Sequence, residues 1–392
     1  MRHTVPGNRC DEEKTMIKLQ KRIDCHVHYA LPLEAETLID FMDKTDTHMA
    51  NLVLVPHTRR LSCVPDALMA KAKYPDRFYV FASLDASEYF RHPKTLGKHM
   101  AKYAKQMLRC GCDGIKIIEG KPNMRKMMPI PDFDLPCWEP FWAWAEEKQV
   151  PILWHLGDPP EYWHPEQTSE YRRKMGDYYD ETVVSKEALH TQAETVLQRH
   201  PNLKIIFAHL FFLSDQLPRL SRLLDTYPNI QVDVTPGSEM YRILSADHDN
   251  AQAFFKQYYT RILYGTDAAA RCVMVQLMSE FSWAENLRRV ELINSFFTPE
   301  TDEICGSDGA YLLDVPDFRL KGVDLTEEEL DHIFCKNFQR FAGEIPAKVN
   351  PKAVVRECRR IQITLKIMSM VNKGMKADPS YARRAMAFFK NK

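Results

Sequence analysis

"RIDCHVHYALP", residues 22–32, sets two imidazoles at alternate positions of a segment that opens apolar and closes on a proline. On an extended strand the side chains at i and i+2 point to one face. His26 and His28 therefore share a face, where two neutral imidazoles can hold a divalent cation between them. A polar edge strand with two solvated histidines would give the same letters. The rest of the chain has to separate the two readings.

The totals set wide bounds. The chain has 392 residues, and 53 Lys and Arg balance 53 Asp and Glu. A net charge of zero gives no reason to expect nucleic acid or an anionic membrane surface as a partner. A hydrophobic fraction of 45% is enough for a large core. The ten cysteines are scattered, with Cys110 and Cys112 as a C-x-C pair and no C-x-x-C. That pattern argues against a zinc ribbon or a disulfide framework and for a reducing, cytoplasmic compartment. Residues 1–22 are too polar for a signal peptide, and no apolar run approaches the ~20 residues of a membrane helix.

Short β-branched or aromatic runs alternate with longer helical patterns. Strands are expected at 19–25, 51–55, 77–83, 113–118, 150–155, 203–208, 229–234 and 261–265. Helices are expected between them at 34–45, 64–74, 95–109, 138–148, 185–200, 214–227 and 247–259. Pro75, Pro201 and Pro228 fall just after helices, where proline commonly follows a helix end. Eight strand–helix alternations imply parallel strands with right-handed crossovers. The expected fold class is α/β, a (β/α)8 TIM barrel over residues 19–345, with a doubly wound open sheet as the alternative. Residues 1–18 read as an N-terminal extension and 346–392 as a C-terminal helical one. Residues 156–184 form a long connection after strand five, the length of a lid or binding loop. Residues 326–342 read as a helix with a Thr326/Glu329 capping box.

Active sites of such barrels lie at the C-terminal ends of the strands. Strand one leads to His26 and His28, strand five to His155, strand six to His209 and strand eight to Asp267 in "LYGTD". Strand four carries Lys116, followed by Glu119. Several imidazoles with a carboxylate suit a first-row divalent ion, zinc first, with manganese or iron as alternatives. Water on such an ion becomes acidic near neutral pH. Asp267 would then take its proton, and His209 would polarise a carbonyl or shuttle a proton.

D-x-H-x-H after the first strand, lone histidines after the fifth and sixth, and an aspartate after the eighth resemble the amidohydrolase superfamily. "ILWHLGDPPEYW", "LKIIFAHLFFLS", "QVDVTPGSEMY" and "RILYGTDAA" resemble its amidohydrolase-related branch of metal-dependent hydrolases and non-oxidative decarboxylases. The resemblance spans roughly residues 20–345 and implies a (β/α)8 barrel. By position it implies metal ligation by His26, His28, His155 and Asp267, with His209 as a further ligand or catalytic group. In two-metal members a carboxylated lysine after strand four bridges the ions, and Lys116 stands in a similar place. One ion is the leading expectation, with Lys116 then a catalytic or substrate-binding group, or a plain partner of Glu119.

Other residues on the expected rim are candidate substrate contacts: His57 and Arg59 after strand two, Glu239 and Tyr241 after strand seven, and Arg271 after Asp267. Trp163, His164, Tyr171, Arg172 and Arg173 lie on the long loop. Asp158 is a candidate for orienting His155. Trp154 should point away from the mouth into the core. His48, His92, His99, His190, His200 and His248 lie in or near helices or at the opposite rim and carry no expected role. The leading reading is a metal-dependent hydrolase acting on a C–N or C–O bond of a small, carboxylated molecule. Its rivals are a decarboxylase on the same site and a non-catalytic binding barrel. The basic, Met-rich tail suggests a homodimer or larger homo-oligomer.

Overall fold

A computed structural model describes residues 21–29, 35–56, 59–164, 166–168, 173, 177–236, 239–269, 283–305 and 317–392. Seven parallel strands pair in chain order: β1 (Ile23–His28), β2 (Met49–Val53), β3 (Phe78–Ser83), β4 (Gly114–Gly120), β5 (Ile152–Leu156), β6 (Ile205–Phe207) and β7 (Ile230–Asp233). The eighth strand is split. Its first half, β8 (Ile262–Leu263), pairs with β7, and its second half, β9 (Ala268–Ala269), pairs with β1. Between the halves, Tyr264 O accepts from Cys25 N at 3.0 Å, and Asp267 N donates to His26 O at 2.9 Å. The first strand thus meets the last, and the sheet forms the (β/α)8 barrel that the alternation implies.

The first strand starts later than expected and runs through both histidines. Its pairing with β2 extends from Ile23 opposite Met49 to His28 opposite Val53, with a register shift between Asp24 and Val27. That irregularity changes which face is inward. Ile23 and Cys25 belong to the inner cluster with Val53, Tyr79, Phe81, Leu153, Ile206 and Leu263. Beyond the shift, Val27 packs outward and the imidazole of His26 meets groups from β4 and β7.

Helices cover the outside at Ala35–Lys44, Val64–Lys73, Leu96–Cys110, Glu139–Glu147, Lys186–Arg199, Leu217–Thr226 and His248–Tyr258. Each lies within three residues of its expected ends. Gly111, with φ +107°, ends the third of the longer ones in a left-handed cap. Trp154 is fully buried in the outer layer, stacked on Trp142 at 5.0 Å and Phe207 at 5.6 Å. The Thr326/Glu329 capping box forms, and the helix after it widens into a π turn over His332–Lys336. Cys335, Phe338 and Phe341 from this segment join the inner cluster. Phe338 meets Tyr79 edge-on at 5.1 Å.

Outside the expected series, among the described residues, lie the short helices Glu88–Arg91, Pro122–Met127 and Met240–Ala246, the longer helix Trp283–Phe296, and an antiparallel pair, β10 (Asp302–Cys305) with β11 (Phe318–Lys321). The tail forms helices Pro351–Val371 and Ser380–Lys390, which pack on each other and on the helices Val64–Lys73 and Leu96–Cys110. Val354, Cys358, Ile361 and Leu365 are buried there, whereas Ile363, Ile367, Met370 and Val371 are exposed. Among the described residues every cysteine is a free thiol, and no helix is long and apolar enough to cross a membrane.

Candidate metal centre at the barrel mouth

Three donors converge where β1 meets the split strand. His26, His28 and Asp267 offer ligand atoms that all lie within 4.8 Å of one another. Asp267 Oδ1 is 3.1 Å from His28 Nε2 and 3.7 Å from His26 Nε2. Burial holds both imidazoles neutral at physiological pH: His26 is lowered to about 3, by burial and then by Lys116, and His28 is lowered as well, again mainly by burial. Burial alone would raise the Asp267 carboxyl, but His28 and Arg289 overcome it and hold the group well below the usual range. The set is therefore two neutral nitrogens and a carboxylate, which fits a first-row divalent ion.

Supports behind these donors fix their aim. His26 Nδ1 lies 2.9 Å from Asp233 Oδ2, so its proton sits there and Nε2 turns its lone pair to the mouth. Arg289, on the unexpected helix Trp283–Phe296, grips Asp267 Oδ2 at 3.1 Å and also donates to the Asp267 carbonyl. Asp24 holds the seam by accepting from His26 N at 3.0 Å, Thr266 N at 3.1 Å and Thr266 Oγ1 at 2.6 Å. Gly265 permits this convergence. A Cβ there would stand 2.7 Å from Thr235 Cγ2, 3.0 Å from Cys25 Sγ and 3.2 Å from His26 Cβ. The glycine of "LYGTD" is thus a requirement of close approach. Asp267 itself has φ +54°.

His209 sits beside His26, with ring centroids 5.6 Å apart. Its backbone N–H donates to Asp233 Oδ1 at 2.8 Å, and its Nδ1 is held by the Thr235 carbonyl at 3.1 Å and hydroxyl at 2.9 Å. Asp233 therefore serves both histidines, and no expectation from the sequence singled it out. The only signal was its place at the end of β7 inside "QVDVTPGSEMY". His209 opens a run of four left-handed residues to Phe212, with φ between 50° and 59°. Each non-glycine residue in that region costs about 1–2 kcal/mol, so the surroundings must enforce the turn.

Lys116 projects inward from β4 and donates from Nζ to His26 Nε2 at 2.9 Å, a bond it does not make to Glu119. The Glu119 carboxylate instead accepts from Ile118 N at 2.9 Å. His155, the expected fourth ligand, stays outside the compact trio. Its ring packs T-shaped on His209 at 5.0 Å, and its Nε2 meets Gly157 O at 3.1 Å and Asp158 Oδ1 at 3.6 Å. Those acceptors draw the imidazole toward the long loop. Asp158 in turn binds Lys121 Nζ at 2.7 Å and the Tyr179 hydroxyl.

The expected substrate contacts fare differently. Arg59 donates from Nε to Lys376 O at 3.1 Å, in the tail, because its own carbonyl accepts from Asp378 N and fixes it there. Tyr241 is buried, donates to Val234 O at 2.7 Å and packs edge-on against Phe296, so it braces the end of β7. Glu239 is buried near Glu161, Lys186 and Asp158, and burial, then Glu161, pushes its carboxyl up to about 8. His57 and Arg271 lie outside the described residues, as do Tyr171 and Arg172 on the loop. Trp163 donates to Val184 O at 3.1 Å, Arg173 donates to Thr168 O at 2.9 Å, and His164 is exposed.

Residues 23–341 match the model of the amidohydrolase family. Among solved structures, one titled amidohydrolase II is 18% identical, with a TM-score of 0.52 over 82% of this chain and 99% of its own. A 2,6-dihydroxybenzoate decarboxylase with bound 2,6-dihydroxybenzoate is 14% identical, with a TM-score of 0.48 over 82% of this chain and 99% of its own. A dihydroxybenzoic acid decarboxylase from Polaromonas, holding manganese and 2-nitroresorcinol, is 13% identical, with a TM-score of 0.48 over 82% and 96%. A search of curated protein sequences finds no match.

Proposed function

We propose, for a chain that belongs to the amidohydrolase family, a metal-dependent hydrolase that cleaves a C–N or C–O bond of a small carboxylated substrate. The observation that carries this reading is the trio of His26, His28 and Asp267, with His26 held from behind by Asp233. A divalent ion there, zinc or manganese by the donor chemistry, supplies Lewis acidity and lowers the pKa of water. The chain's own residues do the rest. Asp233 keeps the His26 Nε2 lone pair aimed at the mouth. Asp267, steadied by Arg289, takes the proton of the attacking water and returns it to the leaving group. His209, anchored through Nδ1–H on the Thr235 carbonyl, keeps its other ring nitrogen unprotonated and so acts as the base that shuttles a proton to and from the substrate. His155 backs His209 from the loop side.

A second reading keeps these residues and changes the bond broken. Lys116 places a buried ammonium on the His26 Nε2 lone pair at 2.9 Å, so an ion taking that lone pair frees the ammonium to hold a substrate carboxylate beside the donors. That placement suits non-oxidative decarboxylation, with Asp267 handing a proton to carbon. The experiment is a panel of small carboxylated lactones, amides, esters and aromatic acids, followed by product analysis. Water incorporated into the product supports hydrolysis; carbon dioxide release with a hydrogen in its place supports decarboxylation. Turnover that persists in His28→Ala overturns both.

A further inference from the structure

We propose that Glu88, His92 and His99 form a second cation site, away from the barrel mouth, that takes a first-row divalent transition-metal ion such as zinc. These residues lie in the connection after β3. Glu88 opens the short helix Glu88–Arg91, His92 follows it, and His99 lies in the first turn of the helix Leu96–Cys110. Their ligand atoms all lie within 4.8 Å of one another, and none belongs to the trio at the mouth.

The geometry is specific. Both imidazoles turn Nδ1 toward the same carboxylate oxygen, Glu88 Oε2. His92 contacts it directly, and His99 Nδ1 stands 3.4 Å away. The rings lie face to face, with centroids 3.7 Å apart and planes within 8° of parallel, so the two Nδ1 atoms stand side by side and the half-exposed rings must tilt for both lone pairs to meet one ion. Tetrahedral ligands about 2.1 Å from an ion stand about 3.4 Å from each other. The His99–Glu88 edge already has that length. The other Glu88 oxygen is engaged by Arg91 Nη1 at 3.2 Å, which fixes the carboxylate and leaves Oε2 facing the histidines.

The ligand class follows from the donors. Two imidazoles disfavour magnesium and calcium, and a nitrogen-rich set with one carboxylate favours zinc, copper or nickel. The site is half open, with side-chain exposures of 33% for His92 and 31% for His99 against 10% for Glu88, so water can complete the coordination. All three donors come from one twelve-residue stretch, so the loop that binding closes is short and the entropic cost small. The same connection is tied to the tail, because Asp85 accepts from Arg360 Nη1 at 2.6 Å. An ion here would therefore brace the seam between barrel and tail helices.

The test is zinc titration of chelator-stripped protein against a chromophoric competitor, alone and with a His28→Ala/Asp267→Ala pair that disables the mouth. The expected result is one zinc still bound by the pair variant, with a zinc-dependent rise in Tm. Adding His99→Gln or Glu88→Gln should weaken that binding at least tenfold and abolish the Tm rise, while magnesium produces neither effect. If the pair variant fails to fold, the count is made on wild type, where His99→Gln should remove one ion and leave one. Unchanged zinc affinity or stoichiometry in both His99→Gln and Glu88→Gln overturns the proposal. The two sites are counted separately, so failure here leaves the reading of the mouth untouched.

Discussion

Asp233, at the end of β7, and His26, in β1, are 207 positions apart in the chain, yet Oδ2 of one lies 2.9 Å from Nδ1 of the other. The contact sets the tautomer of His26 and so decides which nitrogen faces the mouth. Partners of this kind typically change metal affinity by about 10–100-fold when removed. Asp233→Asn should lose affinity in that range while His26 remains. Chelator competition measures it, with a thermal melt to confirm folding. An affinity equal to wild type in a folded Asp233→Asn protein would show that His26 needs no such orientation.

Lys116 separates one ion from two at the mouth. If it holds the substrate carboxylate, Lys116→Met keeps the ion and raises KM tenfold or more, with a smaller change in kcat. If its carboxylated form bridges two ions, the same variant loses one of them. Metal counting by elemental analysis beside steady-state kinetics distinguishes these outcomes, and a mouth that holds one ion predicts the first.

Gly265 tests whether the mouth tolerates any widening. The added methyl of Gly265→Ala meets Thr235, Cys25 and His26 at 2.7–3.2 Å, all of them buried. Overpacking of this kind costs about 1–3 kcal/mol. The variant should unfold at lower denaturant and bind metal more weakly, since the crowded atom on one side is His26 Cβ. Unchanged stability and metal affinity would contradict the packing described here.

The parts of this arrangement legible in the sequence were those carried by local chemistry. Two histidines at strand spacing, and an aspartate just after the last expected strand, need no tertiary knowledge to be noticed. The helix ends were legible because proline and capping residues punctuate them. What stayed hidden depends on partners far along the chain. The register shift between Asp24 and Val27 arises from pairing with β2, and alternation alone could not show that Cys25 and His26 both serve the interior. Asp233 reads as an ordinary strand residue until β7 is laid beside β1. Arg289 lies on a helix whose contact with Asp267 exists only in the folded barrel. Arg59 and Tyr241 had the right position along their strands, but the tail and Phe296 claimed their side chains.

Glu239 gives a pH dependence of stability. Its carboxyl is raised from the ordinary 4.5 to about 8, by burial and then by Glu161, with Lys186 opposing and Asp158 adding to the rise. A raised pKa means that the folded state binds this proton more tightly than the unfolded state does. The contribution is full below about pH 4.5 and is lost as the pH climbs through about 8. Wild type should therefore lose stability relative to Glu239→Gln between about pH 5 and pH 9. The gap corresponds to at most a few kcal/mol, at about 1.4 kcal/mol for each pKa unit. Urea midpoints of both proteins across that range measure it. A difference that does not change with pH would place the Glu239 carboxyl in ordinary solvent.

The most direct measurement on the account as a whole is metal content beside turnover for wild type, His28→Ala and Asp267→Asn, each carrying His99→Gln so that only the mouth is counted. The account predicts one divalent ion per chain in the parent, and loss of both ion and activity in each variant, with the fold retained by circular dichroism. Variants that keep a full ion and full activity would contradict it, because the chemistry would then have to lie elsewhere than among His26, His28 and Asp267.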